Sequence, residues 1–249
     1  MKPSQLKDIN KLPAVIQGPV SQFALKLLEK LTDNIKAILV HGSSAGINYN
    51  PGVSNVNVAI IVEKLDFNVL KQVFGLLKEA RRHKIAPPLL LTQEYVNKAL
   101  DVFPIEFSEI KERHITIFGD DFFTNLDIPL KDVRLLCEQQ VKGKLLHLRQ
   151  AYLTIGSSPA MLKNFVSKAF SDLLPVFRRL IDLKGEVPCE RKEDMLHQLA
   201  VIFSLDGPLL LALYHDKAKK ILISPQQVEL HFQNFINQLE TLSRHMDSL

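Results

Sequence analysis

Two short β-rich runs, Ile35–Val40 and Val56–Val62, bracket a loop that begins Gly42-Ser43. Runs of this length, rich in Val and Ile and bounded by Gly, read as strands. Helical spacing precedes them at Val20–Leu31. It returns at Phe67–Arg81, where Leu70, Val73, Phe74 and Leu77 fall on one stripe. A third strand is expected at Pro87–Leu91, stopped by Thr92 as the N-cap of a short helix reaching Leu100. Pro104–Ile110 (PIEFSEI) and Ile115–Phe118 read as further strands. Strands interspersed with helices make this half α/β.

From about Pro129 the texture changes. Leu135, Val141, Leu145, Leu148 and Tyr152 lie on one face of a long helix that Gly156-Ser157-Ser158-Pro159 breaks. Helical patterns follow at Met161–Leu183, Arg191–Phe203, Pro208–Lys219 and Pro225–His245, punctuated by Pro188, Gly207 and Ser224-Pro225. No convincing strand pattern remains. The expectation is an α/β domain with a mixed sheet over residues 1–127, then an all-α bundle of about five helices over residues 128–249.

Composition narrows the setting. Apolar residues make up 46% and charged residues 23% of the 249 positions, which suits a chain with a real core. No apolar run approaches the length of a membrane span. The N-terminal MKPSQLKDIN lacks the apolar stretch of a secretory signal. Cys137 and Cys189 show no CxxC or Cys/His ligand spacing, so they read as idle or buried thiols. A cytoplasmic protein is expected. A dispersed net charge of +4 does not support nucleic acid as a partner.

The stretch from His41 to Val62, HGSSAGINYNPGVSNVNVAIIV, carries the chemistry. A strand that ends in Gly-Ser and leads into a short helix offers N–H groups and a hydroxyl to a phosphate. Two residues at i and i+2 on the next strand share a face. Were both carboxylates, they would hold magnesium over that phosphate, with a third carboxylate on a neighbouring strand completing a two-metal site.

In GSSAG followed by SNVNVAIIV the chain resembles the nucleotidyltransferase superfamily, the DNA polymerase beta-like fold. Its order of an α/β half before a helical half is similar to the two-domain antibiotic nucleotidyltransferases. The resemblance implies a Gly-Ser signature at Gly42 and Ser43 and an Asp-x-Asp strand at positions 55 and 57. It implies a third carboxylate at Glu106, within PIEFSEI. It also implies a nucleoside triphosphate as partner and transfer of a nucleoside monophosphate to a hydroxyl with two magnesium ions.

The departure falls on the catalytic positions, because both aspartates are replaced, by Asn55 and Asn57. An amide oxygen carries no net charge, and magnesium depends on anionic ligands. Glu106 is then the one carboxylate left for a metal. The loop residues Gly42 and Ser43 remain as phosphate ligands. Lys142 and Arg149, seven apart on the long helix, either neutralise a triphosphate or belong to a solvated face with Arg134 and Glu138. His41 either touches the phosphate or is a half-buried strand end. Arg191 and His197, six apart, are similar to the Arg-His pair of the HEPN ribonucleases, but Lys192 departs from that pattern. The clusters Arg81–Lys84 and Lys217–Lys220 suit helix C-termini.

Three functions are open on these residues. The first is an impaired nucleotidyltransferase relative that keeps a phosphate or nucleotide cleft and needs no certain cofactor. The second is an active magnesium-dependent enzyme acting on a small hydroxylated acceptor or a protein. The third is an interaction module with a vestigial cleft and an unknown protein partner.

Overall fold

The apolar runs become the two central strands of a four-stranded sheet ordered β3-β2-β1-β4. In the computed structural model, which describes residues 6–156, 158–217 and 225–247, β1 is Ile35–His41, β2 Asn57–Val62, β3 Leu89–Thr92 and β4 His114–Gly119. β1 runs antiparallel to both β2 and β4, and β3 runs parallel to β2. The two faces of β1 and β2 are both covered, which is why ILV and VAIIV are continuously apolar rather than alternating. Ile38, Val40, Val58 and Ile60 pack on one face against α1 (Ala14–Leu31) and α2 (Phe67–Ala80). Ala37, Leu39, Ala59 and Ile61 pack on the other against α3 (Gln93–Lys98) and α4 (Pro104–Glu112), with Phe123 beneath.

Local chemistry sets the element ends. The Asp66 carboxylate accepts from the Val69 N–H at 2.9 Å and starts α2, and the Thr92 hydroxyl accepts from the Tyr95 N–H at 3.1 Å and starts α3. Gly119 ends β4 with φ +72°, and a Cβ there would lie 1.8 Å from the Lys36 carbonyl oxygen. Only glycine fits that crossing.

PIEFSEI is a helix, not the expected strand. Pro104 stands at the first turn, where its missing N–H costs no hydrogen bond, and Glu106 is the acidic residue of that turn. Ile105 and Ser108, and likewise Phe107 and Ile110, are buried three apart. The third strand beside β1 is therefore β4, not residues 104–110.

The chain divides into two units, Met1–Ile128 and Pro129–Leu249. The second consists, among the described residues, of α5 (Leu130–Ile155), α6 (Pro159–Leu183), α7 (Lys192–Phe203), α8 (Gly207–Lys217) and α9 (Pro225–Met246). α5 buries Val133, Cys137, Val141, Leu145 and Leu148, a stripe at helical spacing. The expected helix end at Lys219, the cluster Lys217–Lys220 and Ser157 of the helix break fall on residues or side chains outside those described. No helix of the described residues is long and apolar enough to cross a membrane.

Candidate functional site

β1 delivers the chain to Gly42, whose φ of +69° turns it sharply out of the sheet. A single four-residue 3-10 turn, Gly42–Ala45, follows in place of the expected helix. The turn is tied down at three points. The Gly42 N–H donates to the Arg113 carbonyl at 3.0 Å. The Ser44 hydroxyl donates to the His41 carbonyl at 2.9 Å and accepts from the Asn57 N–H at 3.4 Å. Ser44 is fully buried, so it is the structural serine of GSSAG. Ser43 is half-exposed, and its hydroxyl makes no hydrogen bond to a described residue. The Ser43 N–H heads the turn, ahead of the first i→i−3 bond of a 3-10 helix.

The strand register places the expected metal positions. His41 pairs with Asn57 on β2 and with His114 on β4. Alternation puts Asn57, His41 and His114 on the α3/α4 face, since Val56, Val58, Val40 and Ile117 belong to the opposite core. The three side chains thus form a row across the sheet at the mouth of the turn. Asn57 is half-buried, and its amide makes no hydrogen bond to a described residue. Asn55 is exposed, two residues before β2. Glu106 is exposed, in the first turn of α4 and not on a strand. The position that a third strand presents beside β1 is held by His114.

The row carries no anion. The His114 ring nitrogens face the Ile110 carbonyl at 2.7 Å and the Asp121 carboxylate at 2.9 Å. Both partners are acceptors, so the ring is engaged on both sides. Burial alone would raise the Asp121 carboxyl, but the hydroxyl and N–H of Thr124, with His114, outweigh it and hold the pKa at about 2. Burial first, and the charge of His114 second, push the His41 pKa down to about 4. His41 is therefore neutral at pH 7. Arg113 adds a side chain against the loop, its Cδ 4.0 Å from where a Gly46 Cβ would stand.

Magnesium does not fit this donor set. The amides of Asn55 and Asn57 and the imidazoles of His41 and His114 offer no carboxylate to a hard cation, and the adjacent Asp121 carboxylate is taken up by His114, Phe123 and Thr124. Among the described residues no three His, Cys, Asp or Glu side chains cluster closely enough to hold a metal ion.

Lys142 and Arg149 lie on α5 in the second unit, and both are engaged there. Lys142 pairs with Glu138 at 2.6 Å and Asp247 at 2.9 Å, and Arg149 with Glu240 at 2.8 Å. Arg191, just before α7, pairs with Glu193 and Asp194, while His197 is exposed. Sequence reasoning missed His114 and Arg113. The available signal was the strand Ile115–Phe118 itself, whose preceding residue is the one placed beside His41.

No family model matches the chain, and no curated protein matches it in sequence. Among solved structures, the chain is similar to a spectinomycin adenyltransferase from Enterococcus faecialis, crystallised with ATP and spectinomycin. The TM-score is 0.59 at 14% identity, covering 90% of this chain and 98% of that one. The chain therefore has the two-domain nucleotidyltransferase-like fold, a mixed four-stranded sheet with helices followed by a C-terminal helical part.

Proposed function

We propose that this protein is a nucleotidyltransferase-like binding protein whose Gly-Ser turn holds a phosphate or nucleotide without magnesium, and that nucleotidyl transfer is impaired. One observation carries the reading: the row Asn57–His41–His114 at the mouth of the turn contains no carboxylate. A two-metal transfer site draws its power from anionic ligands that hold the ions over the phosphates. Removing those anions also removes the repulsion they would exert on a metal-free phosphate. What remains favours an anion: the N–H group of Ser43, the Ser43 hydroxyl and the nearby Arg113 side chain. The similar fold of an adenyltransferase crystallised with ATP supports a nucleotide as the ligand class. The unpaired thiols Cys137 and Cys189 suit a reducing, cytoplasmic setting.

Binding should be weak, about micromolar to millimolar, because no metal bridges ligand to protein. It should weaken with salt and depend little on magnesium. The test is a ligand-observed NMR and thermal-shift screen of nucleoside mono-, di- and triphosphates, with and without magnesium, on wild type and Ser43→Ala. The variant should bind about fivefold more weakly, one lost hydrogen bond of about 1 kcal/mol. Equal binding by wild type and variant would place the ligand elsewhere. Robust magnesium-dependent transfer to any acceptor would overturn the impairment.

A further inference from the structure

The sheet is unfinished at the β3 edge. On the α1/α2 face, α2 is the last helix before that edge, and its outer flank stays uncovered. Phe67, Leu70 and Phe74, at helical spacing, are 69%, 43% and 70% exposed. With Val73, Leu77, Pro87, Pro88 and Leu90 they line a groove of about 550 Å³ running between α2 and the start of β3. Isolated exposed apolar residues are ordinary, but two phenylalanines and a leucine on one stripe over a groove mark a docking surface.

The occupant follows from shape and charge. The apolar stripe from Phe67 to Leu77 is about 15 Å long, roughly three helical turns. An incoming strand is disfavoured, because Pro87 and Pro88 head β3 without N–H donors and leave only four residues of edge. An amphipathic helix laid beside α2 would complete the layer. The rim is basic. Lys71 sits 5.0 Å from the Phe67 ring centroid. Lys78, Arg81 and Arg82 continue along the exposed side and make no ion pair with a described residue. The acids of α2 are engaged, Asp66 as the helix cap and Glu79 with Lys26 at 2.5 Å. A second copy docking through the same face would bring lysine and arginine against lysine and arginine. We propose that this groove docks an amphipathic helix of a partner protein, apolar on one face and acidic on its flanks.

This surface stands apart from the Gly-Ser turn, so the proposal does not depend on nucleotide binding. The probe is a synthetic helix of about 15 residues, the length of the stripe with one turn to spare. It carries leucines at i, i+3, i+4 and i+7, with glutamates beside them. Its controls are the same peptide with lysine for every glutamate, and a scramble of equal composition. Fluorescence anisotropy with the full chain should show the acidic peptide binding at least about tenfold more tightly than either control. Phe74→Ser removes an aromatic anchor and should weaken it about tenfold or more. Phe74 is exposed, so the fold should survive, as a thermal melt will show. Lys71→Glu with Lys78→Glu should reverse the preference, so that the basic peptide becomes the tighter ligand. Binding of the scramble equal to that of the acidic peptide would overturn the proposal. So would an acidic-peptide affinity unchanged in Phe74→Ser. A wild-type dimer in sedimentation that Phe74→Ser makes monomeric would assign the face to a second copy instead. Single-stranded RNA binding lost in the charge-reversed variant but kept in Phe74→Ser would assign the rim to nucleic acid.

Discussion

His41 offers a direct reading of the candidate site through stability. Its pKa is depressed from 6.5 to about 4, so the folded protein refuses a proton that the unfolded chain accepts between those values. Above pH 6.5 both states are neutral here and stability is unaffected. As pH falls towards 4 the unfolded chain gains the proton alone, and stability drops. At about 1.4 kcal/mol per pKa unit the full loss is about 3 kcal/mol, of which about 2 kcal/mol is reached at pH 5. Below pH 4 the native ring also protonates and the loss stops growing. Urea melts at pH 7 and pH 5 measure it, with His41→Gln as the reference that lacks the ring. The wild type should lose about 2 kcal/mol more than the variant over that interval. Asn57→Asp sharpens the test, because it sets a carboxylate directly across the β1–β2 pairing, where Cβ atoms lie about 5 Å apart. An opposite charge at that distance raises a histidine pKa by about 1–3 units, which should erase most of the acid sensitivity. Equal pH dependence in wild type and His41→Gln would mean that the ring is hydrated. An Asn57→Asp variant with the His41 NMR titration still near 4 would break the shared-face geometry.

Restoring both aspartates, Asn55→Asp with Asn57→Asp, should create measurable magnesium affinity by calorimetric titration where the wild type has little, since two anionic ligands enter the site. Gly119→Ala should destabilise by more than about 2 kcal/mol in urea melts or fail to fold. It combines a left-handed backbone with a Cβ driven into the Lys36 carbonyl. Cys137 is fully buried, and burial pushes its thiol up to about 12. Ellman's reagent should therefore find one accessible thiol, Cys189, in the native protein and both after denaturation.

Much of the sheet was legible because its strands are covered on both faces, and such strands write themselves as uninterrupted Val and Ile. The error at PIEFSEI has a simple origin. Ile105 and Phe107 are one step of an alternation, and a single step does not separate a period of 2 from one of 3.6. Pro104 at the helix start and the buried Ser108 carried the missing information. The site was legible as a loop and a strand, but not as a row. Cross-strand neighbours depend on register, and the β1–β4 pairing shifts register between Ile38 and Leu39. No spacing in the chain reveals that His114 stands beside His41. The two serines of GSSAG are indistinguishable in sequence until the sheet buries Ser44 and leaves Ser43 outward. The pair Glu138–Lys142 was open to an i,i+4 argument, but the further partners of Lys142 and Arg149, Asp247 and Glu240, are about ninety residues or more away along the chain.

The fastening of the Gly-Ser turn has a kinetic consequence. Gly42 is anchored to Arg113, and Ser44 bridges the end of β1 to the start of β2. A ligand settling there meets a surface that is already shaped, with no segment to order and little conformational entropy to surrender. Its arrival would follow a single exponential whose rate rises in proportion to ligand concentration, without the plateau that a closing loop imposes. Weak affinity at such a site expresses itself as rapid departure. On the function proposed above, the turn would track the concentration of a phosphate-bearing ligand almost instantly rather than retain it.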